Sequence, residues 1–174
     1  MTIHIATPQD TRAKLIETAL RHFAAHGYAG VSLRAIQREL DLNPASIHYY
    51  FGSKEALYRV VIETFIGEMT AERLRRLPTI PKDLPRVDHV RRLIEAYIGP
   101  HLEFAVSDLG NAYARLLARV SVETEGPLLK TFEAAAVPTR KLYLAELEAL
   151  YPDVDRAEVG RLLAMTVAMM ARRW

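Results

Sequence analysis

The chain has no cysteine among its 174 residues, which excludes a disulfide framework, a zinc ribbon, a thiol nucleophile and an iron–sulfur centre. No apolar run approaches the roughly 20 residues needed to cross a bilayer. The opening stretch, MTIHIATPQD, lacks the basic segment followed by an apolar one that marks a secretory signal. There is no phosphate loop, no dinucleotide glycine pattern and no nucleophile elbow. No histidine is preceded three residues earlier by glutamate, which argues against a helical-bundle enzyme with a carboxylate-bridged metal centre. These absences leave a cytoplasmic, non-enzymatic protein with no expected cofactor or metal.

Half of the residues are hydrophobic and a quarter are charged, enough to bury a real core. Net charge is only +2, but residues 1–54 hold six Lys/Arg against four Asp/Glu, leaving 17 of each sign in residues 55–174. The basic excess therefore lies in the first third, a modest pointer to nucleic acid.

Apolar residues recur at intervals of three and four almost throughout, so an all-α fold is expected. Thr7, Pro8 and Asp10 suit a first-helix start, Ile16, Ala19, Leu20 and Phe23 form its apolar face, and Gly27 ends it. Ser32 caps a second helix with Leu33, Ile36 and Leu40 inward. Asp41-Leu42 makes a tight turn, and Asn43-Pro44 opens a short third helix ending near Phe51-Gly52. Ser53 caps a long fourth helix to about Leu77. Pro78, Pro81 and Pro85 mark a connection. A fifth helix from about Val87 is expected to bend at Gly99-Pro100. Further helices are expected near 108–124, 127–150 and 155–173, the second of these kinked or split at Pro138. With no cap at its end, the last helix leads us to expect that the natural protein continues beyond Trp174.

The segment SLRAIQRELDLNPASIHYYF, Ser32 to Phe51, is a helix, a tight turn and a second short helix. In that arrangement the second helix enters the major groove. Leu33, Ile36, Leu40, Ile47 and Phe51 can share a core with the first helix, leaving Pro44, Ala45, Ser46, His48 and Tyr49 outward. Ser46, His48 and Tyr49 can hydrogen-bond phosphates or bases. Lys54 stands at the start of the fourth helix, where it can meet a phosphate. His22 and His26 are four apart, a spacing that also suits metal, but no Glu lies as in the zinc-protease motif and the surface reading is favoured.

ETALRHFAAHGYAGVSLRAIQREL followed by SIHYYFGSKEAL resembles the DNA-binding domain of the TetR family of ligand-responsive transcriptional repressors, over residues 8–60. The resemblance implies a three-helix DNA-binding domain at 1–53, joined by the fourth helix to a helical effector-binding and dimerisation domain at 54–174. It implies that Ser32 and Lys54 contact phosphates, that Pro44, Ala45, Ser46 and Tyr49 face the major groove, and that His48 lies at the DNA backbone or at the groove's edge; Asn43 completes the expected DNA-binding set. Tyr50 and Phe51 are expected to pack. Two departures stand out: Asp41 occupies a turn position that commonly carries Gly, and Ala45 and His48 replace a frequent Gly and Tyr.

The family implies a homodimer on a palindromic operator, nucleoid-associated when DNA-bound. The last helix carries Val159, Leu162, Leu163, Met165, Thr166, Val167, Met169 and Met170, more apolar surface than one face needs. A small, largely apolar effector would sit among Tyr97, His101, Phe104, Tyr113, Leu116, Leu117, Phe132, Tyr143 and Met165. The alternative is a DNA-binding regulator without a small ligand, controlled by a protein partner or acting as an activator.

Overall fold

A computed structural model describes the backbone of residues 8–120 and 127–171. It contains eight helices and, among the described residues, no strand: α1 Pro8–Gly30, α2 Leu33–Glu39, α3 Ser46–Phe51, α4 Lys54–Arg76, α5 Arg86–Ala105, α6 Asp108–Val120, α7 Pro127–Leu150 and α8 Arg156–Ala171. The expected cap at Thr7 lies outside the described residues, as does the expected continuation of α6 beyond Val120.

The first helix is interrupted where its sequence asks for it. Gly27 adopts φ 68 and ψ 171, a left-handed φ that an L side chain would strain to reach. The break strips carbonyls of their helical donors, and a side chain distant in sequence takes them over. Arg119 of α6 donates from Nε to Ala24 O at 2.8 Å and from Nη2 to Ala25 O at 2.9 Å. The α6 helix is thereby tied to the end of α1.

Helix α4 starts as predicted, with Ser53 Oγ accepting from Ala56 N at 3.0 Å. It buries the stripe Leu57, Val61, Ile62, Phe65, Ile66 and Met69, the spacing of one helical face. Together with Leu15, Ala19, Leu20 and Phe23 of α1 and Ala112, Tyr113, Leu116 and Leu117 of α6, this stripe makes one continuous apolar core. The core crosses the 53/54 line without a break. A second cluster gathers Leu93, Ala96, Tyr97, Tyr143 and Leu163 beneath α5, α7 and α8.

Helices α5 and α7 each carry a proline without being split, and the start of α3 is corrected. Helix α5 runs through Pro100 as one element; burial of Leu93, Ala96 and Tyr97 before the proline and Ala105 after it holds both sides in register. Helix α7 is not split at Pro138, where Pro138 and Ala134, whose carbonyl loses its donor, are both exposed and open to water. The third helix begins at Ser46 rather than at Pro44. The Asn43 side chain accepts from Ala45 N at 2.8 Å, and the Pro44 carbonyl is claimed by Gln37 Nε2 at 2.6 Å, so the first two residues form a capped turn ahead of the regular helix.

Candidate nucleic-acid interface and effector core

The α2–α3 turn explains how Asp41 serves where glycine is common. Asp41 sits at φ 52, within the left-handed region that Asp tolerates better than most residues. Its amide donates to Arg38 O at 3.2 Å and the next amide, of Leu42, to Gln37 O at 2.9 Å. This pair of bonds is the Schellman ending, which satisfies the last carbonyls of α2. Gln37 is buried and braces the turn through its bond to Pro44 O. Sequence reasoning passed over Gln37; the available signal was a polar residue one place beyond Ile36 on the inward side of a short helix.

Beneath α3, Ile47 is fully buried against Ile36 and α1, and Leu33, Leu40, Tyr50 and Phe51 pack partly buried around them. Gly52 closes the helix at φ 76, its amide on His48 O at 2.9 Å. With one side so anchored, the other is presented outward. Asn43, Pro44, Ala45 and His48 are exposed, Ser46 is half-buried, and Tyr49 is 82% exposed. The Tyr49 ring meets Tyr50 edge-on at 5.0 Å, which orients it without covering it. Arg12 lies 5.3 Å over the Phe51 ring, consistent with the packing role expected of that residue.

Ser32 is exposed and uses its backbone, not its hydroxyl, to start α2: its carbonyl accepts from Ala35 N at 3.0 Å and no side-chain cap bond forms. Lys54 is half-buried, with Nζ 4.8 Å over the Tyr28 ring and 3.4 Å from Ala29 O. It is held against the end of α1 instead of extending freely. His22 Nε2 pairs with Glu39 Oε2 at 2.8 Å, joining α1 to α2.

The residues expected to meet an effector fall into two apolar clusters and one outlier. Tyr97 and Tyr143 are buried and meet edge-on at 4.9 Å. Tyr113 is buried, with His101 at 5.8 Å and Phe104 at 6.0 Å. Leu116 and Leu117 line the same core, with Phe104 and Phe132 partly buried against it. Met165 is not brought in: it is 58% exposed on α8, because that face of α8 turns away from Val159 and Leu163. Leu162 is exposed beside it, and the side chains of Thr166, Val167, Met169 and Met170 lie outside the described residues.

Against Tyr97 and Tyr143 lies a residue the sequence reading did not single out. Arg73 of α4 is 4% exposed, its Nε donates to Tyr97 O at 2.8 Å, and its guanidinium carbon lies 3.7 Å over the Tyr97 ring. Tyr143 Oη donates to Arg73 O at 2.8 Å. A signal was present: Arg73 follows Met69 by four on the buried stripe of α4, where an apolar residue is expected. Burial and the nearby Arg73 charge hold the His101 imidazole down to about 3, so it is neutral. Burial pushes the Tyr143 phenol up to about 12, and Tyr113 upward too. A separate surface groove of about 410 Å³ is lined by Arg76, Thr79, Ile80, Leu84, Arg92 and Glu95 among others, and by none of the expected effector residues.

The helical arrangement, with α2 packed on α1 and α3 on α2 and α4, is that of a helix-turn-helix unit. Residues 15–61 match the profile of the bacterial regulatory proteins of the tetR family, and residues 95–173 match the tetracyclin repressor-like C-terminal domain. The chain belongs to the TetR family. Among curated relatives, the transcriptional repressor SCO4008 of Streptomyces coelicolor is 38% identical over 77 residues, covering 44% of this chain and 38% of that protein. The transcriptional regulator BetI of Rhizobium meliloti is 29% identical over 82 residues, 47% of this chain and 40% of its own. The matches thus span about two fifths of these TetR relatives' length. A transcriptional regulator from Saccharomonospora viridis, solved in complex with choline, superposes with a TM-score of 0.71 at 20% identity, covering 95% of this chain and 85% of that one. That likeness is one of fold and extends across nearly the whole chain. No helix among the described residues is long and apolar enough to cross a membrane.

Proposed function

We propose that this TetR-family chain is a DNA-binding transcriptional repressor in the cytoplasm. It acts as a homodimer on a palindromic operator and is released by a small-molecule effector held in the core of α4 to α7. The observation that carries the DNA-binding part is the one-sided mounting of α3. Ile47 anchors it, while Pro44, Ala45, His48 and Tyr49 remain outside, with Tyr49 82% exposed. An exposed tyrosine on a rigid short helix has little structural purpose but suits a base edge or phosphate. Asn43 and Ser46 shape the approach of that helix, and Ser32 and Lys54 flank it as phosphate contacts.

One short helix reads few bases, so two half-sites are needed for useful specificity. The exposed Leu162 and Met165 on α8 are suited to a partner subunit. Coupling to the effector runs through the shared core and through Arg119, which joins α6 to the end of α1. An effector shifts DNA affinity only by binding the two arrangements of these helices unequally.

The choline seen in the S. viridis protein does not transfer readily to this chain. The Tyr97 face that would greet a quaternary ammonium is already covered by the Arg73 guanidinium.

A selection of random duplex DNA on the purified protein tests the reading. It should enrich a two-fold symmetric site whose half-sites are one helical turn, roughly 34–36 Å, or a multiple apart, and binding to that site should weaken steeply with salt. Absence of any enriched sequence, or salt-independent binding, would overturn it.

A further inference from the structure

We propose that the core enclosed by α4, α5, α6 and α7 recognises the carboxylate of an otherwise apolar monoanionic effector, with Arg73 as its counter-ion. The inference rests on the reading of this core as the effector site and adds the chemistry that the site selects.

Charge is out of balance in this core. Arg73 is almost wholly buried, and among the described residues no carboxylate pairs with it. The neighbours acting on its charge are the phenols of Tyr97, Tyr113 and Tyr143, none of them a carboxylate, together with the neutral His101. Its one hydrogen bond goes from Nε to Tyr97 O. Taking a guanidinium out of water without an anion is costly, and one carbonyl and one aromatic face offset only part of that. Carboxylates are not scarce on this helix. Glu72 and Glu103 saturate Arg76, and Glu72 also binds Arg75. Arg75 and Arg76, its neighbours on α4, are therefore paired while the buried arginine is not.

A second observation is independent of the charge. Thr70 Oγ1, one turn before Arg73, Thr139 Oγ1, one turn before Tyr143, and His101 Nδ1 are all buried without a hydrogen-bond partner. Native interiors leave few such groups, and each calls for a partner; His89 Nε2 of α5 is in the same state. Water could hydrogen-bond the hydroxyls and the guanidinium alike, but it would bring no negative charge to balance the buried cation. A carboxylate satisfies both, because it accepts several hydrogen bonds and matches the planar fork of arginine.

The same groups define what is refused. A cation would face Arg73, and a phosphate dianion would leave one negative charge without a match because His101 is neutral. Phe104, packed on Tyr113 at 6.0 Å, and Phe132 offer an apolar wall for the rest of the ligand.

The test uses the full chain and a panel of straight-chain carboxylates from butanoate to dodecanoate, with 4-phenylbutanoate, each beside its uncharged amide. Binding is followed by calorimetry, and operator release by fluorescence anisotropy. At least one carboxylate should bind about tenfold or more tightly than its amide, and Arg73→Met should erase that difference. Equal affinity for acid and amide, no saturable carboxylate binding anywhere in the panel, or a preference that survives in Arg73→Met would each overturn the proposal. The acid–amide comparison on the unaltered protein decides the matter even if the variant fails to fold. Release by amides alone would sink the carboxylate assignment and leave the effector reading standing. Carboxylate binding without any change in operator affinity would support the assignment and sink release by ligand.

Discussion

The α1–α3 unit and the α4–α7 core handle polar groups in opposite ways. In the first, what is buried is almost entirely apolar or satisfied. Phe23, Ile36 and Ile47 fill the centre, and the buried Gln37 has its bond to Pro44 O. Its unspent hydrogen-bonding groups, on Ser32, His48 and Tyr49, face solvent. In the second, a charged arginine, two threonine hydroxyls and a histidine nitrogen are inside, and several of them lack partners. A surface that meets a large polyanion can leave its polar groups in water until the partner arrives. A site that swallows a small molecule must carry its polar groups in the interior and bear the cost of their desolvation. The contrast separates two kinds of recognition in one short chain.

Four measurements would sharpen or break that contrast, beginning with the largest effect. Phe23 is fully buried and meets Tyr58 edge-on at 4.6 Å, so Phe23→Ala should lower unfolding free energy by about 3–5 kcal/mol in chemical denaturation. A loss below about 1 kcal/mol would show that the α1–α3 unit is not held by its apolar centre.

The interior polar region should announce itself through pH. His101 is held down to about 3 from an ordinary 6.5. Between these values the unfolded chain takes up a proton that the folded chain refuses. The stabilisation is therefore complete above pH 6.5 and is lost as pH falls toward about 3. The variant His101→Phe should show a flatter acid limb in denaturation midpoints. Parallel curves for the two proteins would mean that His101 is not buried in its neutral form.

On the exposed side the two effects separate cleanly. Tyr49→Ala should weaken operator binding by roughly 1–3 kcal/mol if the ring reads a base, with melting temperature unchanged because the residue is exposed. A shift in melting without a loss of binding would reverse the roles given to the two regions. The smallest effect is expected for Lys54→Ala: a uniform loss across DNA sequences with a shallower salt slope. It should also forfeit about 0.5–1 kcal/mol of the contact with Tyr28. A loss confined to particular sequences would contradict a phosphate role.

Much of the helical framework was legible beforehand, for local reasons. Gly27, Ser53 and Gly52 act through their own backbone or the next turn, and the three–four spacing of Ile16, Ala19, Leu20 and Phe23 names its own face. The outward set on α3 followed from knowing that Ile47 must point inward. What escaped notice depended on distant partners. Gln37 and Arg119 each bond backbone carbonyls that a neighbouring break or turn leaves without helical donors, and nothing local says which side chain will reach them. Pro100 reads as a bend and Pro138 as a kink or a split; packing on either side of Pro100 and exposure around Pro138 let both helices continue. Met165 looked like lining by type alone, but the rotation of α8 leaves it outside.

The amino-acid order alone determined that this chain is helical, where most helices start and stop, and which short helix is offered outward, since caps, turns and amphipathic spacing act within a few residues. Tertiary structure alone decided that Arg73, already on the buried stripe by its spacing, is surrounded by four aromatic and imidazole rings and, among the described residues, by no opposing charge. The environment of that guanidinium is assembled from four helices, and pairing between distant segments is not written in the neighbourhood of any one of them.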